Sequence, residues 1–203
     1  MDHVVVDVEI QKTIAETPGG WNATDQLGVA VSCLWEYQTA RLRVYGPDEV
    51  PALRERLLRA DRITGYNIWK FDLPVIWGLS QAEWFAKTET FDPHADLRDR
   101  LRAKTDDLLR RIWKALRLNP DSFSPRHGGW GLDAVAAATL GSGKIGHGAE
   151  APQWYQAGLI QKVANYCADD VCLERDLCDY LERYGRVVNG ERILSVPPWD
   201  GTA

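Results

Sequence analysis

No run of apolar residues in the chain approaches the roughly 18 that a membrane span needs. The start, Met1-Asp2-His3 leading straight into Val4-Val5-Val6, has neither a basic n-region nor a small-residue cleavage site, so a cytoplasmic protein without a leader is expected. Cys33, Cys167, Cys172 and Cys178 show no Cys-x-x-Cys spacing, which argues for free thiols and against a structural zinc site. There is no excess of positive charge either. The net charge of −5 argues weakly against a protein that coats nucleic acid by bulk electrostatics, although a local basic stripe remains compatible with it. Internal repeats are missing. Gly141-Ser142-Gly143-Lys144 lacks the first glycine of a phosphate loop, has Ile145 after its lysine, and follows a helical pattern instead of a strand. His94, His127 and His147 share no metal-ligand spacing and read as surface residues.

What is present fits one α/β domain of 203 residues with a sizeable core. Val4–Ile10, Leu27–Tyr37 and Ala40–Tyr45 read as strands, and Arg62–Tyr66 as a short fourth. Helical spacing covers 48–60, with Asp48 as its expected cap, then 72–79, 132–140 and 157–184. Residues 105–118 read as one basic amphipathic helix. This order suits a mixed β-sheet flanked by helices, not a regular βαβ ladder. The domain is expected to span 1–185, with residues 186–203 forming a C-terminal hairpin and tail, because Asn189-Gly190 suits a two-residue type I′ turn.

Three segments place acids where apolar or neutral residues would be simpler. Asp7 and Glu9 share one face of the first strand, opposite Val4, Val6, Val8 and Ile10. Two adjacent acids on a buried strand are costly unless a cation lies between them, whereas a solvent-facing side would carry them freely. Asp72, at a strand-to-helix junction, reads equally well as a plain N-cap with Pro74 in the first turn. On the long C-terminal helix the apolar stripe runs through Val163, Tyr166, Cys167, Leu173, Leu177 and Leu181, and Asp170 falls on it. Tyr166 precedes Asp170 by one turn, so both can address one site.

Read together, these segments resemble the DEDD exonuclease superfamily in its tyrosine (DEDDy) form. Asp7-Val8-Glu9 resembles the first motif, an Asp-x-Glu on the first strand. Gly65-Tyr66-Asn67 through Phe71-Asp72-Leu73-Pro74 is similar to the second proofreading motif of B-family DNA polymerases, and Tyr166-x-x-x-Asp170 to the third. The histidine form of that third motif would place a histidine where Asn165 stands. Ile10 departs from the Thr or Ser common after the motif-one Glu.

The resemblance implies an RNase H-like fold and a 3′→5′ exonuclease acting on single-stranded DNA or RNA ends, DNA before RNA. It implies that Asp7, Glu9, Asp72 and Asp170 ligate two Mg²⁺ or Mn²⁺ ions and that Tyr166 positions the attacking water. Hard oxygen donors suit those ions better than zinc. Asn67 is expected to contact substrate or brace its loop, Trp69 to stack on a base, and Arg110 and Arg111 to lie on a phosphate track. A structure-selective endonuclease and an inactive nucleic-acid-binding module are the competing readings. A polymerase or helicase partner is compatible with all three, and no membrane is expected as one.

Overall fold

The computed structural model describes residues 1–86, 92–121, 125–143 and 148–201. A five-stranded mixed sheet in the order β3-β2-β1-β4-β5 forms its centre. Here β1 is His3–Ile10, β2 Val29–Glu36, β3 Arg41–Tyr45, β4 Arg62–Gly65 and β5 Thr105–Asp107. The central strand β1 pairs antiparallel with β2, setting Asp7 opposite Cys33, and parallel with β4, setting Val4 opposite Ile63. The β1–β2 register slips between Glu9 and Ile10, so the strand is irregular where its second acid stands.

Both faces of β1 are covered. Val4, Val6, Val8 and Ile10 pack on one face with Leu53 and Leu57 of α1 (Val50–Arg59), Leu73 and Ile76 of α2 (Asp72–Trp77) and Trp84 of α3 (Gln81–Trp84). Leu101 of α4 (Ala95–Arg102) completes that layer. On the other face Val5, Ala30, Val31 and Cys33 meet Val163, Cys167 and Val171 of the 25-residue helix α8 (Ile160–Tyr184). The same face carries Asp7 and Glu9, so α8 lies directly over the acids.

Several local expectations are corrected. Residues 105–118 do not form one helix. Thr105–Asp107 pairs in parallel with β4 as an edge strand, and Asp107 then caps α5 (Leu108–Ala115) by accepting the Arg110 N–H at 3.2 Å. Three residues are too short for a period-two pattern to stand out from a helical one. Asp48 is not a cap; it lies in a 3₁₀ turn, Pro47–Glu49, whose Gly46 N–H donates to Glu49 Oε2 at 2.9 Å. The helix expected over 157–184 starts at Ile160, because Gly158 (φ 75°) separates it from α7 (Ala151–Gln156), a helix outside the expected set. The tail folds back as a hairpin of β6 (Arg186–Asn189) and β7 (Arg192–Ser195). Its centre is Gly190-Glu191, because Asn189 pairs with Arg192, and Gly190 alone takes the positive φ, 59°. Val187 and Val196 are buried with α5, α8 and α6 (Leu132–Leu140). Among the described residues no helix is long and apolar enough to cross a membrane.

Part of the basic middle of the chain turns inward. Arg62 from β4 and Arg111 from α5 both pair with the fully buried Asp106, and both also reach Glu182 of α8. Removing Asp106 leaves two buried guanidiniums to share the partly exposed Glu182, so Asp106→Ala should lower unfolding stability by about 3–5 kcal/mol in urea titrations. A loss below about 1 kcal/mol would show that water already shares these charges.

Candidate metal-binding active site

Four acids converge from three segments. Asp7 and Glu9 come from β1, and the register fixed by β2 and β4 aims both at α8. Asp170 projects from α8 with only 2 % of its surface exposed. Carboxylate oxygens of Asp7, Glu9 and Asp170 lie within 4.8 Å of one another. Asp72 begins α2 without capping it: Phe71 occupies the cap position, and Asp72 Oδ1 instead accepts the Val8 N–H of β1 at 3.1 Å. That bond ties the second segment to the strand that carries the first pair.

These acids line a cleft of about 600 Å³ together with Tyr166, Asn67, Phe71, Trp21, His127, Asp133 and Glu174. Two unit charges at such spacing repel by on the order of 3 kcal/mol at an effective dielectric of about 20. The Asp72 carboxyl responds as expected, held well above its ordinary range by burial first and by Asp7 second. A divalent cation would remove both penalties, and an all-oxygen donor set matches a hard ion. A second grouping, Asp106, Cys178 and Glu182, is a poor metal site because Arg62 and Arg111 already neutralise it.

Two further acids, which the sequence reading passed over, hold backbone. Asp107 accepts the N–H groups of Asn67 and Trp69 at 3.1 and 3.0 Å, besides that of Arg110. Asn67 itself sits at φ 64°, a left-handed conformation that asparagine tolerates, and its carbonyl receives the Lys70 and Phe71 N–H groups. Glu174, one turn beyond Asp170, accepts the Tyr66 N–H at 3.1 Å and is 1 % exposed. The spacing 166, 170, 174 was available as a signal for it. Tyr66 in turn donates its hydroxyl to the Trp130 carbonyl. The loop before Asp72 is thus clamped from both sides.

Tyr166 lines the cleft and meets Trp154 edge-on at 5.7 Å. Asn67 also lines the cleft, and the expectations for Trp69, Arg110 and Arg111 are corrected. Trp69 is 1 % exposed, packs on Trp84 at 4.9 Å and does not reach the cleft, so it stacks inside the core instead of on a base. Arg110 and Arg111 are each 6 % exposed, paired with Asp121 and with Asp106 and Glu182, and form no surface track. Their substitution tests the fold, not substrate affinity. His127, expected on the surface, lines the cleft, and His147 lies outside the described residues.

No protein-family model matches the chain, and no curated protein matches it by sequence. Its fold does have solved counterparts. One is the family B DNA polymerase from the hyperthermophilic archaeon Pyrobaculum calidifontis, with a TM-score of 0.57 and 15% identity. The match covers 90% of this chain and 24% of the polymerase, so the chain spans about a quarter of that protein's length. At that identity the likeness establishes the fold alone. The architecture is an RNase H-like α/β one, a mixed five-stranded sheet flanked by helices.

The raised Asp72 carboxyl has a pH signature. The folded state holds a proton that the unfolded chain releases near pH 4, so stability is undiminished below that value. It falls as pH rises from there through the folded value, and the penalty persists above. Asp72→Asn keeps the bond from Val8 and should raise Tm by roughly 2–8 °C at pH 8 in EDTA. Excess Mg²⁺ or Mn²⁺ should then stabilise wild type more than the variant. Calorimetry that finds the variant less stable in EDTA would remove the repulsion argument.

Proposed function

We propose that the protein is a metal-dependent 3′→5′ exonuclease that shortens single-stranded nucleic acid, DNA in preference to RNA. The observation that carries this reading is the meeting of Asp7, Glu9 and Asp170 oxygens within 4.8 Å on the floor of an open cleft, with Asp72 beside them. The order of the three motif-like segments and the polymerase-like fold support it.

In this reading Asp7, Glu9, Asp72 and Asp170 hold two Mg²⁺ or Mn²⁺ ions. When bound, such a pair activates a water, polarises the scissile phosphate and stabilises the leaving 3′ oxygen. The chain's own groups supply the positioning. Asp7 and Glu9 are immobilised by the β2 ladder, which pairs them with Cys33 and Val31, and Asp72 by the Val8 N–H. Tyr166, rigid on α8 and braced by Trp154, directs its hydroxyl to the attacking water and orients it toward phosphorus. Asn67, held by Asp107, shapes the wall against which the terminal nucleotide rests.

A 5′-labelled single strand incubated with Mg²⁺ or Mn²⁺ should give a ladder of shortening products that EDTA abolishes. A 3′ phosphate should inhibit strongly, because the acids repel it, and single-stranded circles should stay intact. Asp7→Asn should fold and be inactive. Nicking of circles that disappears in the Asp7→Asn variant would assign an endonuclease instead. No shortening at all, with DNA still bound, would leave a binding module.

Tyr166→Phe separates orientation from metal binding. It should lose about 10- to 1000-fold in turnover with nearly unchanged metal affinity. A variant as inactive as Asp7→Asn that also binds metal poorly would contradict this division.

A further inference from the structure

Trp21 is the one exposed large apolar side chain among the described residues that lines the cleft, with 57 % of its surface open. Nothing in its segment explains that exposure as looseness. Residues 14–26 run through three successive 3₁₀ turns. At one end Thr13 and Glu16 cap each other, and Gln156 of α7 bonds both Glu16 and the Gln11 carbonyl. At the other end Thr24 Oγ1 donates to the Leu79 carbonyl at 2.6 Å. Between these anchors Gly19 and Gly20, both at positive φ, turn the chain outward just before Trp21. The indole leans edge-on against Phe71, with ring centroids 5.8 Å apart. Phe71 is itself packed on the core and is the residue before Asp72. A pinned, braced indole is therefore held at the mouth of the cleft, beside the segment that carries one of the acids.

We propose that Trp21 is a nucleobase platform, on which the base of the 3′-terminal nucleotide stacks while its phosphate lies over the carboxylates. This rests on the exonuclease reading and deepens it. Every base offers a π-face, so the platform accepts all four, purines more tightly than pyrimidines because of their larger stacking area. It also takes the role first expected of Trp69, which is sealed in the core.

The test uses two 5′-labelled single-stranded oligonucleotides that differ only in whether the 3′-terminal nucleotide carries a base. With wild type, loss of that base should raise KM by about 5- to 100-fold, the range of one aromatic stacking contact. Trp21→Ala should raise KM by a similar factor on the intact strand and leave the abasic strand unaffected. Trp21→Phe should recover most of the loss. Equal penalties for Trp21→Ala on both strands would overturn the platform alone, since a merely structural tryptophan harms both. The same pair is compared by fluorescence anisotropy in Ca²⁺, without turnover. Binding that distinguishes the strands through Trp21, in a protein that shortens neither, would sink the exonuclease reading and keep the platform. Binding that ignores both the base and Trp21 would overturn the platform whatever the activity.

Discussion

Helix α8 can seal its face of the sheet only by pressing Asp170 toward the acids of β1. Val163, Cys167 and Val171 must meet Val5, Ala30, Val31 and Cys33 to exclude water, and helical spacing then leaves Asp170 pointing at the strand. The apolar contacts that build this layer are the same ones that force like charges together. Hydrophobic burial is worth roughly 25 cal/mol per Å², enough for a seam of this length to tolerate a few kcal/mol of repulsion. The acids are thus brought together by the packing of the layers around them, and the Asp72 carboxyl is held well above its ordinary range by its burial and by Asp7. A divalent cation at that point would replace this repulsion with attraction.

Acids elsewhere in the domain do different work, and their partners show it. Asp107 and Glu174 accept backbone N–H groups and clamp the loop from Tyr66 to Trp69. Asp106 neutralises two guanidiniums and joins β4, β5, α5 and α8. Of the arginines that make the middle of the chain look basic, Arg98, Arg110 and Arg111 are buried, whereas Arg100, Arg102 and Arg117 are exposed.

The amino-acid order by itself determined the strand-and-helix outline and the three acid-bearing segments. Period two set Asp7 and Glu9 against the valines, and period 3.6 put Tyr166 and Asp170 on the apolar side of α8, because both patterns are properties of the local backbone. Asp106 and Asp107 were not legible in the same way. A carboxylate that serves a backbone N–H or an arginine many residues away carries no periodic mark, and Thr105–Asp107 becomes a strand only because β4 offers an edge to pair with. The fate of the tryptophans and arginines was likewise a tertiary decision. Trp21 and Trp69 are the same residue type, yet one is held out by two anchored turns and the other closed over by Trp84. Exposure depends on which surfaces pack against a side chain, and that is set by distant segments meeting in space.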